Sequence, residues 1–435
     1  MDQGLFSISN LVLNVLLARW LLPEDYGIFA TAFAIFLLVA TLHTGLFEEP
    51  MLVFGSGKYR NRISEYLGTL LHGHLGFGIL IGLVLAFISL VLTLSGSTTA
   101  SEGLLALALA GPFMLLLWLM RQACYARLEP HLAALASALY IILVLAGTYA
   151  LFRLGWLSSA PAFGLMGLSS LLVGLCLIMR LGIKRPKLRE DDLTRDVVKD
   201  HWRFGRWSLA LLALEWFPVG GLFLLLSLLG SLEASASLRA LMNFILPAIM
   251  GMMALCSLLI PNLIRARGGA RFGFLVRSAT LLFVFGSVLY WLLLGLFHAP
   301  LMDLLYAGRY GEDAHLLWIL GLIPIFVAGL SVMNSAFRAF ERPDQLFWPY
   351  AFSTLAALAL GPFMIVAWGV AGALLTYLVW AGIATAVMTY LFVTFRERHG
   401  EGQEAQMPQL RGGDVDPESA DETGQSHPRT QEKPI

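Results

Sequence analysis

Glu215 sits eight residues into an apolar stretch, in Leu212-Ala213-Leu214-Glu215-Trp216-Phe217-Pro218-Val219-Gly220-Gly221, and is the residue best suited to carrying an ion. Pro218 removes a backbone donor, and the two glycines loosen any helix just beyond it. A carboxylate beside a broken helix suits a proton or sodium site; the plainer reading is a structural partner for one arginine. A second pattern is an uncharged polar stripe. Gln3, Ser7, Asn10 and Asn14 recur at helical spacing among Leu, Val and Ile, within about 60° of arc on one face. Such amides and hydroxyls can line a sugar-accepting cleft or bond neighbouring helices. Arg121, Arg239 and Arg338 lie within or near apolar runs, and Asn243 follows Arg239 by one helical turn. Guanidinium binds phosphate oxygens in pairs and stays charged, so these arginines suit a pyrophosphate headgroup or, alternatively, snorkel to membrane lipid.

Other chemistry finds no support in the residue pattern. His43, His72, His74 and His298 show no ligand spacing with Cys or carboxylates, so no metal is expected. Cys124, Cys176 and Cys256 all fall in apolar runs and read as small core residues. There is no Walker A sequence, no paired-carboxylate or Ser-His-Asp set, and no cofactor motif. A net charge of zero offers no general affinity for nucleic acid.

These residues must be positioned by membrane helices. Of 435 residues, 58% are hydrophobic and 13% charged, against about 25% charged in soluble domains. The surplus apolar surface must face lipid. Runs of the length a bilayer crossing needs lie at about 4–22, 27–47, 66–95, 103–126, 131–152, 161–181, 207–230, 238–262, 272–298, 314–337, 346–367 and 369–395. They are too long and too uniformly apolar for barrel strands. The expected fold is all-α, with twelve transmembrane helices. Of the 29 Lys and Arg, 22 fall on one side of these spans, four on the other and three in the tail. The positive-inside rule then places both termini in the cytoplasm. No cleavable signal peptide is visible, and the abrupt start at Asp2 suggests an upstream segment.

The charged stretch 182–206 divides the spans six and six. This predicts a bundle over 1–181, a cytoplasmic linker over 182–206, a second bundle over 207–398 and a disordered tail over 399–435. Met120, Ala123, Ala126 and Pro130 align without gaps to Met333, Ala336, Ala339 and Pro343, at the ends of the fourth and tenth spans. An internal duplication with its axis along the membrane normal would leave a cleft between the halves as substrate path.

The first 60 residues carry Asp2-Gln3, Phe6-Ser7-Ile8-Ser9-Asn10, Leu17-Ala18-Arg19-Trp20-Leu21, Pro23-Glu24-Asp25-Tyr26-Gly27 and Glu49-Pro50-Met51. They resemble the opening of bacterial polysaccharide and O-antigen flippases of the multidrug/oligosaccharidyl-lipid/polysaccharide exporter superfamily, with Arg19, Pro23, Glu24, Tyr26, Gly27, Glu49 and Pro50 as motif residues. The resemblance implies a V-shaped, MATE-like transporter in the bacterial inner membrane. It would turn undecaprenyl-pyrophosphate-linked oligosaccharide from the inner to the outer leaflet by alternating access, driven in some members by H+ or Na+. Glycan polymerases or glycosyltransferases are the partners it implies. Membrane arginines are few here for a strongly cationic cavity. A drug/cation antiporter of the same superfamily is the alternative. A membrane-embedded glycan polymerase or ligase is disfavoured by the short outward gaps, the largest being 299–313 with Asp303, Arg309, Glu312 and Asp313.

Overall fold

The computed structural model describes residues 2–56, 58–183, 192–266, 269–340 and 343–404. The tail beyond 404, expected to be disordered, lies outside the described residues, as do the side chains of Gln3 and Ser7. Every regular element among the described residues is helical. α1 is Asp2–Trp20; α2, Pro23–His43, runs through a π turn at Thr44–Glu48 into α3, Glu49–Ser56. α4 (Ile63–Leu94), α5 (Thr98–Ala126), α6 (Pro130–Arg153) and α7 (Ser159–Arg180) follow. α8 (Asp192–Trp216) passes through a second π turn, Phe217–Gly221, into α9 (Leu222–Leu229). Then come α10 (Leu232–Met242), α11 (Leu246–Arg265), α12 (Ala270–Leu296), α13 (His298–Tyr306), α14 (Leu317–Leu320), α15 (Ile323–Ala339) and α16 (Phe347–Glu404). α8 starts at Asp192, inside the stretch read as a linker.

Nine stretches among the described residues are long and apolar enough to cross a membrane. They cover ten of the twelve expected spans, because 347–395 holds two. Gly369, at φ 53°, breaks α16 between them. The arms turn back on each other there: Gly361 lies against Thr376, whose hydroxyl meets the Met364 sulfur at 3.6 Å. Only glycine reaches that φ without a Cβ penalty. The expected spans outside the nine are those of α1 and α8–α9, some side chains of which lie outside the described residues. In α5, 67% of the most apolar window is buried, against 17% in α4. α5 is therefore a core helix packed between α4 and α7, and α4 shows Ile79, Leu80, Leu83 and Phe87 outward, as a lipid-facing helix would.

The stretch from α2 to α3 packs along α8, α9 and α10, joining the early helices to the later ones. Its prolines set the contacts. Pro50 and Pro218 have no N–H, so each leaves the preceding turn a carbonyl without its usual partner. Leu46 O accepts instead from His201 Nδ1 at 2.8 Å, and Leu214 O from Thr354 Oγ1 at 3.2 Å. Each proline thus trades an intrahelical bond for an interhelical one, and both do so at a π turn, a feature frequent at functional positions. Asp25, one residue before the Tyr26-Gly27 pair, accepts the Ser159 N–H at 3.1 and 3.2 Å. That carboxylate satisfies an orphan donor at the start of α7 and suits the positive end of its dipole.

Candidate functional site

Two polar clusters lie where the early and late helices meet. The first is near the Tyr26 end. Arg239, on α10, is 8% exposed and donates from Nε to Asn14 Oδ1 at 3.0 Å, across 225 residues of sequence. Its guanidinium lies over the rings of Phe33 (4.9 Å) and Phe223 (5.7 Å). Among the described residues no carboxylate acts on it, so a buried cation is held by an amide and two aromatic faces. Beside it, Asn243 Nδ2 donates to the Tyr306 hydroxyl at 3.2 Å, which donates to Ala240 O at 2.9 Å. The Tyr26 hydroxyl lies near Arg239 and Asn243, but not in hydrogen-bonding geometry. Tyr26 OH, Asn243 Oδ1 and Tyr310 OH are all buried without a partner. Each such group costs about 1–3 kcal/mol. Gly27 tightens this junction: a Cβ there would lie 1.9 Å from Leu232 O. Arg309 also donates to Leu21 O at this end.

The second cluster surrounds Glu215. Tyr350 lies within hydrogen-bonding reach of the Glu215 carboxylate, and Arg338 and Glu49 are its charged neighbours. Arg338 Nε donates to Asn334 Oδ1 at 3.0 Å, and Asn334 Nδ2 to the Tyr350 hydroxyl at 3.2 Å. Trp380 stacks on Tyr350 with centroids 5.7 Å apart and donates to Thr354 Oγ1 at 3.1 Å. Arg338 itself is exposed. A carboxylate, an exposed cation and a tyrosine held by an amide form a place where an ion or anionic group can be exchanged.

Of the other predicted residues, Asn10 is half-buried and its carbonyl accepts from Asn14 Nδ2 at 2.8 Å. Asn14 therefore spends both ends of its amide in structure, one of them on Arg239. Arg121 is buried and sits near Tyr140 on α6. Among the motif residues, Arg19 and Glu24 are exposed, Tyr26, Gly27 and Pro50 are buried, Pro23 is half-buried, and Glu49 reaches toward Glu215. His43 and His74, read from sequence as scattered, bond each other at 3.0 Å; His72 bonds the Gly68 carbonyl of its own helix, and His298 the Gly295 carbonyl at the end of α12. Among the described residues no group of three His, Cys, Asp or Glu is arranged to hold a metal.

Sequence reasoning did not pick out Tyr350, Thr354, Trp380, Tyr306 or Tyr310. Only Asn334 carried a signal, one turn before Arg338 in the repeated segment.

A latch closes the opposite end of the α2–α8 contact. Asp200 Oδ2 accepts from Lys58 at 2.7 Å and from Tyr59 at 2.6 Å, and His201 Nε2 meets the Tyr66 hydroxyl at 2.7 Å. Burial pushes the Asp200 carboxyl up, but the bonds from Lys58 and Tyr59 outweigh it and hold the group below the usual carboxylate range. Burial lowers the His201 imidazole, against opposing pulls from Leu46 O and Asp200. His201 is thus neutral in the closed latch, and an opened chain binds the extra proton more readily. Its contribution is complete above the ordinary histidine value of 6.5 and is lost as pH falls below that. Asp200 adds a loss only at lower pH, below its ordinary 3.8. Acidification from pH 7.5 to 5.5 should therefore lower the thermal midpoint of the purified protein, and His201→Gln should blunt the drop. An equal drop in both proteins would remove His201 from the latch.

No protein-family model and no curated protein sequence matches the chain. Solved structures do. A multidrug resistance MATE family transporter of the MOP superfamily, inward-facing, overlays with a TM-score of 0.78 at 15% identity, covering 92% of this chain and 96% of that one. The lipid II flippase MurJ, inward closed, overlays at 0.73 with 15% identity, covering 90% and 86%. An outward-facing multidrug resistance MATE family transporter overlays at 0.63 with 17% identity, covering 93% and 94%. The protein is a polytopic helical membrane protein with the fold shared by the MATE transporters and the MurJ flippase.

Proposed function

We propose that the protein moves an undecaprenyl-pyrophosphate-linked oligosaccharide from the inner to the outer leaflet by alternating access, during surface polysaccharide assembly in the bacterial inner membrane. The observation that carries this is the junction of Arg239 and Asn14 with the partnerless Tyr26, Asn243 and Tyr310. It closes the contact between the early and late helices with polar groups a permanent core would satisfy, and so suits a gate that opens in every cycle. In this reading the Tyr26 end is the outer gate and both termini are cytoplasmic, as the charge asymmetry predicts. The exposed Arg338, with Glu215 behind it, faces the entering pyrophosphate, to which guanidinium is geometrically matched. Arg121, Gln3, Ser7 and Asn10 are further candidates for lining the path, and two six-helix bundles over 1–181 and 207–398 are the moving bodies. Membrane lipid and glycan-assembling enzymes are the expected partners. Transport is not bond-making, so the protein is not an enzyme in this reading.

Deleting the gene should make lipid-linked glycan accumulate in the inner leaflet and surface glycan fall. Unchanged pools of both would refute the proposal. A second reading, a drug/cation antiporter, is favoured by one observation, the carboxylate and aromatic set of Glu215, Tyr350 and Trp380, which suits a small organic cation. Dye efflux that depends on Glu215, with unchanged glycan, would select it.

A further inference from the structure

The π turn at Thr44–Glu48 brings together three buried titratable groups that neither the motif nor the gates use. His43 Nδ1 bonds Glu48 Oε1 at 3.0 Å, and His43 Nε2 bonds His74 Nδ1 at 3.0 Å. All three are sealed: His43 is 0%, Glu48 3% and His74 2% exposed. Residues five apart face away from each other on an α-helix, but approach in a π turn, whose hydrogen bonds span five residues. The rings of Phe47 and Phe77 cover His43 at 4.8 and 5.6 Å. The remaining side of His74 meets the Pro112 carbonyl, which can only accept.

Counting protons shows what this arrangement asks for. Three contacts in series, Glu48 to His43, His43 to His74 and His74 to Pro112, need three hydrogens. An ionised Glu48 with two neutral imidazoles holds two and leaves a net negative charge in the hydrocarbon. One added proton completes the chain and cancels the charge, whether it rests on the carboxylate or on a ring. A buried uncompensated charge is costly, so the geometry favours one proton shared along the three contacts.

Other titratable groups on the packed helices are occupied elsewhere. Glu49 lies near enough to Glu215 to act on its charge, Arg121 sits near Tyr140, and His201 bonds Leu46 O and Tyr66. His72 and Arg206 are exposed, and the charged neighbour acting on His74 is His43. The π turn carrying the set is also where α8 packs: a Cβ on Gly205 would lie 2.7 Å from Gly45 O. A change of charge at Glu48 therefore acts on the contact between the early and late helices.

We propose that Glu48, His43 and His74 form a binding site for one proton, which titrates as a unit and supplies the coupling ion of the transport cycle. The coupling rests on the transporter reading above; the site itself does not. The test uses the full chain in lipid nanodiscs, with proton uptake from pH 8 to 5 followed by pyranine. Glu48→Gln, His43→Asn and His74→Asn should each remove the same single proton, about one per chain, and the triple variant should remove no more. Losses that add up across the three would overturn the shared site, and unchanged uptake would do the same. Thermal melts of each variant identify any that fails to fold, and two folded variants suffice for the comparison.

In proteoliposomes, an imposed pH gradient should speed translocation of a lipid-linked glycan severalfold in the wild type and leave Glu48→Gln unaffected. Gradient-stimulated transport that persists in Glu48→Gln would overturn the coupling role. A shared proton with no glycan translocation under any condition would leave the site standing and refute the transporter reading instead.

Discussion

Gly27→Ala should hold the protein open at its Tyr26 end. The new methyl would stand 1.9 Å from the Leu232 carbonyl oxygen and 2.5 Å from its carbon, and both belong to backbone, which cannot rotate aside. α10 must move away from α2. An overpacked contact costs roughly 1–3 kcal/mol, enough to shift a two-state balance by about fivefold to more than a hundredfold. The cost falls only on the closed form. Spin labels at Leu22 and Leu229, both exposed, should report a longer distance in Gly27→Ala than in the parent. Gly286→Ala is the control, because no atom lies within 4 Å of the Cβ it would add. Unaltered distances in a folded Gly27→Ala would mean that this contact is not a gate.

Glu215→Gln should stop ion-linked transport while leaving the fold nearly intact. Glutamine keeps the carboxamide oxygen for Tyr350 and the same volume, but carries no charge for an ion to balance. Its arginine neighbour, Arg338, is exposed and keeps its bond to Asn334, so water replaces what the lost carboxylate supplied. Water screens the exposed Arg338, so its attraction for the Glu215 carboxylate is worth at most about 1 kcal/mol, and the thermal midpoint should move by only a few degrees. Transport should fall at least tenfold, measured as lipid-linked glycan turned over in cells or proteoliposomes. Arg338→Gln should give the same phenotype if the two act on one ligand. Wild-type transport in Glu215→Gln would remove this carboxylate from the cycle and leave the buried Glu48 set to carry the ion alone.

Much of the architecture is legible in the chain because it depends on local properties. The break between the last two expected spans, read at 367–369, is where Gly369 reverses α16. Prolines inside α5 and at both π turns were visible too, and their missing donors explain the bonds made by His201 and Thr354. The partners themselves were not visible. A proline announces that a carbonyl is free, but which distant donor takes it depends on how helices dock.

The candidate sites divide along the same line. Glu215 stands out in sequence because a charge in an apolar run is costly wherever the helix packs. Asn14 stands out too, but its stripe suits a sugar path and a bond to a neighbouring helix equally, and the structure bonds it to Arg239. Helical spacing tells which residues share a face and never which helix that face meets. The histidines fail for a different reason. His43 and Glu48 are five apart, a spacing that an α-helical reading discards, and His74 lies on another helix altogether.

Composition and hydropathy alone therefore determined that this is a helical membrane protein of many spans, since transfer into lipid is a sum over residues that needs no neighbours. Only the tertiary structure decided that an arginine would be sealed by an asparagine from the first helix. It alone decided that a π turn would aim Glu48 at two imidazoles, and that Gly27 would touch backbone. Those outcomes turn on contacts of a few ångströms between segments far apart in the chain, and no local preference encodes them.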